Sequence, residues 1–127
     1  MSVKKRILYI DDNHDHLLIV KAMLERDGYT CQTCADAEQA LTILQAEPFD
    51  LVLLDLQLPK ISGIELLEQI KTQLVTSLPI IIAITANSTI FAQHSPYQLG
   101  FDGYLSKPIM PADLSRVIKQ AFTASTG

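Results

Sequence analysis

Asp11, Asp12, Asp55, Thr85 and Lys107 are the residues of this chain best suited to do chemistry, and each stands at the end of a short apolar run. Asp11-Asp12 follow Ile7-Leu8-Tyr9-Ile10, Asp55 follows Leu51-Val52-Leu53-Leu54, Thr85 follows Ile80 to Ile84, and Lys107-Pro108 come just after Tyr104-Leu105. Three carboxylates packed together repel, and each resists ionising alone. A divalent cation removes that conflict. Hard oxygen ligands without a Cys or His cluster favour Mg²⁺, which keeps waters and often shares its shell with phosphate oxygens. Lys107, as a point charge, and Thr85, as a hydroxyl donor, suit further oxygens of a phosphoryl group. A carboxylate can itself accept that group as an aspartyl phosphate. Taken singly, each residue has an ordinary explanation: Asp11-Asp12 as helix caps, Asp55 as a loop carboxylate, Thr85 as a strand end, Lys107-Pro108 as a turn. The joint placement carries the argument.

The elements that must bring these residues together follow from periodicity. The runs Ile7–Ile10, Tyr29–Cys34, Leu51–Leu54, Ile80–Ile84 and Tyr104-Leu105 read as strands buried on both faces, with the weaker second and fifth at the edges. Between them lie helical stripes: Leu17, Val20, Leu24; Ala37, Ala40, Leu41, Leu44; Leu67, Ile70, Leu74; and Leu114, Val117, Ile118, Ala121, Phe122. Gly28 suits the end of the first helix, Asp36 the N-cap of the second and Pro48 its end, and Pro111 the start of the last. In the stretch Asn87–Gly100, Pro96 would break a through-running helix. A short helix starting at Pro96 and capped by Ser95, preceded by loop or a separate turn, is expected there. Strand and helix repeat five times, which implies a parallel sheet with helices on both faces and right-handed crossovers. Such sheets bind ligands beyond the carboxyl ends of their strands, where all five residues fall.

Composition narrows the class. The chain has 127 residues, 48% hydrophobic and 19% charged, with net charge −4, which suits one domain spanning 1–127 with its own core and no output domain. Mild acidity argues against nucleic-acid binding. The longest apolar run, Pro79–Ala86, falls short of a membrane span, and the start Met1-Ser2-Val3-Lys4-Lys5-Arg6 is followed by too short an apolar stretch for a signal peptide. Two cysteines without a framework of pairs point to a reducing, cytoplasmic setting.

The segments ILYIDDN (7–13), DLVLLDLQLPKISGIELL (50–67), IIAITA (81–86) and GYLSKPI (103–109), in this order and spacing, resemble the receiver domain of two-component response regulators. The QLPKISGIE stretch is similar to single-domain regulators of the DivK kind and to receivers attached to hybrid histidine kinases. The resemblance implies a flavodoxin-like (βα)5 fold, doubly wound, with strand order 2-1-3-4-5. It implies Asp55 as phospho-acceptor, Asp12 as a direct Mg²⁺ ligand, Asp11 acting mainly through water, and the Gln57 backbone carbonyl as a further ligand. Thr85 and Lys107 resemble the switch hydroxyl and the phosphate-binding lysine, Tyr104 the switch aromatic, and Pro108 the proline after a cis bond. Ala86 resembles the small residue beside the phosphate, and Gly63 the glycine opening the third helix. Gln57 and Asn87 flank the site and would tune the phosphate lifetime.

The implied function is phosphoryl transfer from a histidine kinase or phosphotransfer protein to Asp55, switching a protein-binding surface. The chain is thus a signalling module, not a conventional enzyme, and a monomer or weak homodimer without nucleic-acid or membrane partners. A phosphorylation-independent pseudo-receiver, a receiver excised from a larger hybrid kinase and an aspartyl-phosphate phosphatase are the alternatives; the phosphatase and the pseudo-receiver are the chemical rivals. The intact Asp55, Thr85 and Lys107 argue against the pseudo-receiver, the adjacency of Asp11 and Asp12 against the phosphatase. No P-loop or dinucleotide fingerprint occurs.

One region departs from that pattern: Ile90–Leu99 carries no charge and contains Pro96, so a remodelled or mobile fourth helix is expected. Cys31 and Cys34 spell C-x-x-C, but three residues apart on a strand they point to opposite faces, which disfavours redox chemistry. His14 and His16, two apart on a helix, do not face each other, and solvation is expected for both, as for Lys4-Lys5-Arg6.

Overall fold

The computed structural model describes residues 4–75, 77–92 and 94–126, leaving Met1 to Val3, Thr76, Gln93 and Gly127 outside the description. Five strands, β1 (Arg6–Ile10), β2 (Thr30–Cys34), β3 (Leu51–Asp55), β4 (Ile80–Thr85) and β5 (Gly103–Ser106), alternate with helices α1 (His14–Arg26), α2 (Ala37–Ala46), α3 (Gly63–Gln73), α4 (Pro96–Leu99) and α5 (Pro111–Thr126). The strands form one sheet in the order β2-β1-β3-β4-β5, all pairs parallel. The expected topology is therefore present, with β2 and β5 at the edges.

Every residue of β3 is buried, and so are all but the first of β1 and of β4. Alternation sends their side chains into two separate layers. Leu8, Ile10, Val52, Leu54, Ile81 and Ala83 pack with α2 and α3, whereas Ile7, Tyr9, Leu51, Leu53, Ile82 and Ile84 pack with α1 and α5. Cys34 belongs to the first layer and Cys31 to the second, and both are free thiols. Burial pushes each thiol up to about 12, so neither is a thiolate near neutral pH.

Local chemistry sets the helix boundaries. Asn13, Asp36, Ser62 and Ser95 each cap a helix by accepting a backbone N–H with the side chain. α1 ends in a Schellman motif: Gly28, at φ +95°, donates to Glu25, and Tyr29 donates to Leu24. α3 is shorter than its apolar stripe, because Leu74 lies past its last turn as the C-cap, while Leu66, outside the expected stripe, is fully buried.

The β4–β5 connection is remodelled as expected. A 3-10 turn (Ser88–Phe91) precedes α4, whose four residues begin at Pro96 under a capping box formed by Ser95 and Gln98. Arg6 differs from expectation. Far from being simply solvated, it reaches Glu47 at 3.2 Å and the Pro48 carbonyl at 2.8 Å and lies over the Phe49 ring, tying β1 to the end of α2.

Candidate functional site

β1 and β3 are neighbours at the centre of the sheet, so Asp11, just past β1, and Asp55, the last residue of β3, come together at the edge where the strand order reverses. Both are buried, at 0% and 2% exposure, while Asp12 is exposed. One carboxylate oxygen from each of the three lies within 4.8 Å of the others. The Lys107 Nζ bridges the two buried acids, 2.8 Å from Asp55 Oδ2 and 3.1 Å from Asp11 Oδ2. The Lys107–Pro108 bond that delivers it is cis, as the resemblance implied.

The remaining acceptors are filled by main chain and neighbours. The Gln57 amide donates to Asp55 Oδ1 at 2.8 Å, and the Asn13 amide to Asp11 Oδ1 at 2.9 Å. Gly63 fits beneath the loop after β3 because nothing larger would: a Cβ there would lie 2.6 Å from Leu56 Cα and 2.8 Å from the Asp55 carbonyl. Thr85 is buried at the end of β4. Its hydroxyl donates to the Asn87 carbonyl at 3.2 Å and accepts the Asn87 amide at 3.0 Å, so it is engaged with the loop above the carboxylates. Tyr104, on β5, is 44% exposed and packs against Phe91, the ring centres 5.0 Å apart.

Electrostatics separate the two buried acids. Burial raises the pKa of Asp55, the nearby Asp11 carboxylate adds to that effect, and Lys107 and the Gln57 amide only partly oppose it. At Asp11 burial also disfavours the charge, but hydrogen bonds from Tyr9, the Asn13 amide and Lys107 outweigh it and hold the group below its ordinary value. Burial lowers the pKa of Lys107, but the paired Asp55 and Asp11 carboxylates outweigh it and hold that pKa above its ordinary value. Three carboxylates thus face one ammonium, and the residual negative charge and all-oxygen donor set fit Mg²⁺.

Two neighbours of Asp11 escaped the reading of the sequence. The Tyr9 hydroxyl donates to Asp11 Oδ2 at 2.5 Å, and His16 Nδ1 stands 3.4 Å from the same oxygen. His16 is therefore not a merely solvated helix residue. A signal for Tyr9 was present: a hydroxyl in an otherwise aliphatic strand needs a buried partner, and Asp11 lies two residues on, on the same side.

Comparison with known proteins agrees with this geometry. The response regulator receiver domain family matches residues 7–119. The chain is 35% identical to the transcriptional regulatory protein PhoP of Bacillus subtilis, covering 92% of this chain and 48% of that one. It is 36% identical to the sensor histidine kinase GacS of Pseudomonas protegens, covering 89% of this chain and 13% of that one. The chain thus spans about half, or far less, of the length of these curated relatives. Among solved structures, a CheY-like receiver domain protein from Methanospirillum hungatei superposes with a TM-score of 0.83 at 33% identity, over 93% of each chain. The response regulator TrrA of Thermotoga maritima, in complex with Mg²⁺ and BeF, gives 0.80 at 31%, over 92% of this chain and 98% of that one. With that match covering nearly the whole chain, and with its buried acids and lysine meeting at the switch point of a 2-1-3-4-5 sheet, this protein belongs to the response regulator receiver domain family.

Proposed function

We propose that Asp55 is the phospho-acceptor of this receiver, and that a histidine kinase or a histidine phosphotransfer protein is the donor. The observation that supports it most is the bridging of Asp55 and Asp11 by Lys107 at the buried strand ends. Asp55 Oδ attacks phosphorus as the phosphorus–nitrogen bond breaks in a donor phosphohistidine protonated on its other ring nitrogen, so the donor leaves as a neutral imidazole and Asp55 becomes an acyl phosphate. Lys107 turns from the carboxylates to the incoming oxygens and neutralises charge there. Asp12, Asp55 and the Gln57 carbonyl would hold Mg²⁺, with Asp11 acting through water, and the ion would supply further charge neutralisation. Thr85 exchanges its bonds with Asn87 for one to the phosphoryl group, and Tyr104 follows into the vacated space, altering the face formed by α4, β5 and α5. Gln57 and Asn87 border the path of the water that hydrolyses the acyl phosphate and set its lifetime.

Residues 1–127 act in this reading as one receiver unit in the cytoplasm, as a monomer or weak homodimer whose output is contact with a downstream protein. No helix among the described residues is long and apolar enough to cross a membrane. The test is the intact mass after incubation with acetyl phosphate and Mg²⁺. One phosphoryl adduct is expected, prevented by EDTA and absent in Asp55→Asn. An adduct that persists in the variant would place the acceptor elsewhere.

A further inference from the structure

We propose that Tyr9 is a positioning residue of this site: its hydroxyl holds Asp11 from the core side so that Lys107 is free to leave for an incoming phosphoryl group. This rests on the function proposed above and adds a residue that function did not use.

Tyr9 is fully buried in β1, in the layer packed by α1 and α5, where its neighbours are aliphatic. Its hydroxyl is satisfied by Asp11 Oδ2 at 2.5 Å, the length of a charge-assisted bond. The same oxygen faces Lys107 Nζ at 3.1 Å and His16 Nδ1 at 3.4 Å. These three neighbours are not equivalent. His16 lies on the solvent side, with 42% of its side chain exposed, where water can take its place. Lys107 is shared with Asp55 at 2.8 Å. One ammonium cannot serve two carboxylates and new phosphoryl oxygens equally. As it turns away, Asp11, at 0% exposure, would be left short of a donor, and an unsatisfied buried charge is costly. The Tyr9 hydroxyl stays, because its ring is fixed in the core. It therefore lowers the cost of the lysine's departure at the moment of transfer.

Tyr9→Phe removes one oxygen and keeps the ring. With Mg²⁺ saturating, the dissociation constant for beryllofluoride, a phosphoryl mimic, should rise about tenfold, the size of one lost hydrogen bond to a charged group. The dissociation constant for Mg²⁺ alone should rise by a clearly smaller factor, because Lys107 need not move for it. Unchanged beryllofluoride affinity overturns the proposal. An equal loss for both ligands overturns it too, since that marks a general defect at Asp11. A wild-type chain that binds no beryllofluoride and takes no phosphoryl group overturns the underlying function, and that failure is visible without the variant. Should Tyr9→Phe not fold, the Tyr9 hydroxyl proton of the wild-type protein serves instead. Its resonance should move downfield when beryllofluoride joins Mg²⁺, as Tyr9 becomes the main interior donor to Asp11. A resonance that stays in place overturns the proposal.

Discussion

The carboxylate cluster and the β4–β5 connection share one edge of the sheet, yet they are built in opposite ways. Asp11 and Asp55 follow the fully buried Ile10 and Leu54 of the central strands, and each of their carboxylate oxygens is tied to an amide, an ammonium or a hydroxyl. The connection consists of a four-residue 3-10 turn and a four-residue helix, with Tyr97 68% exposed and Pro96 the buried residue of α4. Thr85, at the end of β4, stands between the two regions, and its hydroxyl bonds the Asn87 main chain at the root of the turn. The contrast teaches a division of labour. Under the proposed transfer to Asp55, the groups that would align with the phosphoryl are held by the stable part of the fold. The groups that would respond to it lie where rearrangement disrupts few contacts.

The largest effect that would sharpen this contrast concerns the cluster. Lys107→Ala should slow phosphorylation by acetyl phosphate by roughly 100-fold or more, as loss of one preorganised charge does elsewhere, and time-resolved intact mass measures it. A rate close to wild type would break the assignment of the lysine. Next comes stability. Leu53→Ala, in fully buried β3, should cost about 2–5 kcal/mol in urea unfolding, whereas Tyr97→Ala, in α4, should stay within roughly 0.5 kcal/mol. Equal costs would show that α4 is as firmly packed as the sheet. Gly63→Ala should cost about 1–3 kcal/mol, because the new methyl would press on the Leu56 main chain. It should also slow phosphorylation, since Asp55 is the adjoining residue. The smallest effect belongs to the connection itself. Phe91→Ala removes the ring packed on Tyr104 and should cost about 1 kcal/mol or less. Iodination should then find Tyr104 more accessible, and an unchanged rate would mean that Phe91 does not restrain it.

Much of this was legible in the sequence because the strands are pure in type. Nearly continuous Ile and Leu, with Val, in β1, β3 and β4 announce burial on both faces, which points to a parallel sheet, and the sheet then places Asp11, Asp55, Thr85 and Lys107 at one edge. The break at Pro96 and its Ser95 cap were legible for the same reason, since proline and a capping serine act locally. What escaped depends on distance in space. His16 looked solvated because helix spacing describes its relation to His14, and carries nothing about a carboxylate on the neighbouring strand end. Arg6 looked like a solvated strand start because its partners, Glu47 and Phe49, lie over 40 residues away. Tyr9 was counted as one more apolar residue of a strand, and its hydroxyl was overlooked.

The placement of the two cysteines on opposite sides of the sheet has a use of its own. Each thiol is buried in a different layer, Cys31 in the one packed by α1 and α5 and Cys34 in the one packed by α2 and α3. A thiol reagent reaches either one only when its own layer opens, so labelling rates under native conditions act as two independent clocks, one for each half of the molecule. If the phosphorylated form loosens one helical layer before the other, the two clocks will separate, and the natural sequence already carries both of them.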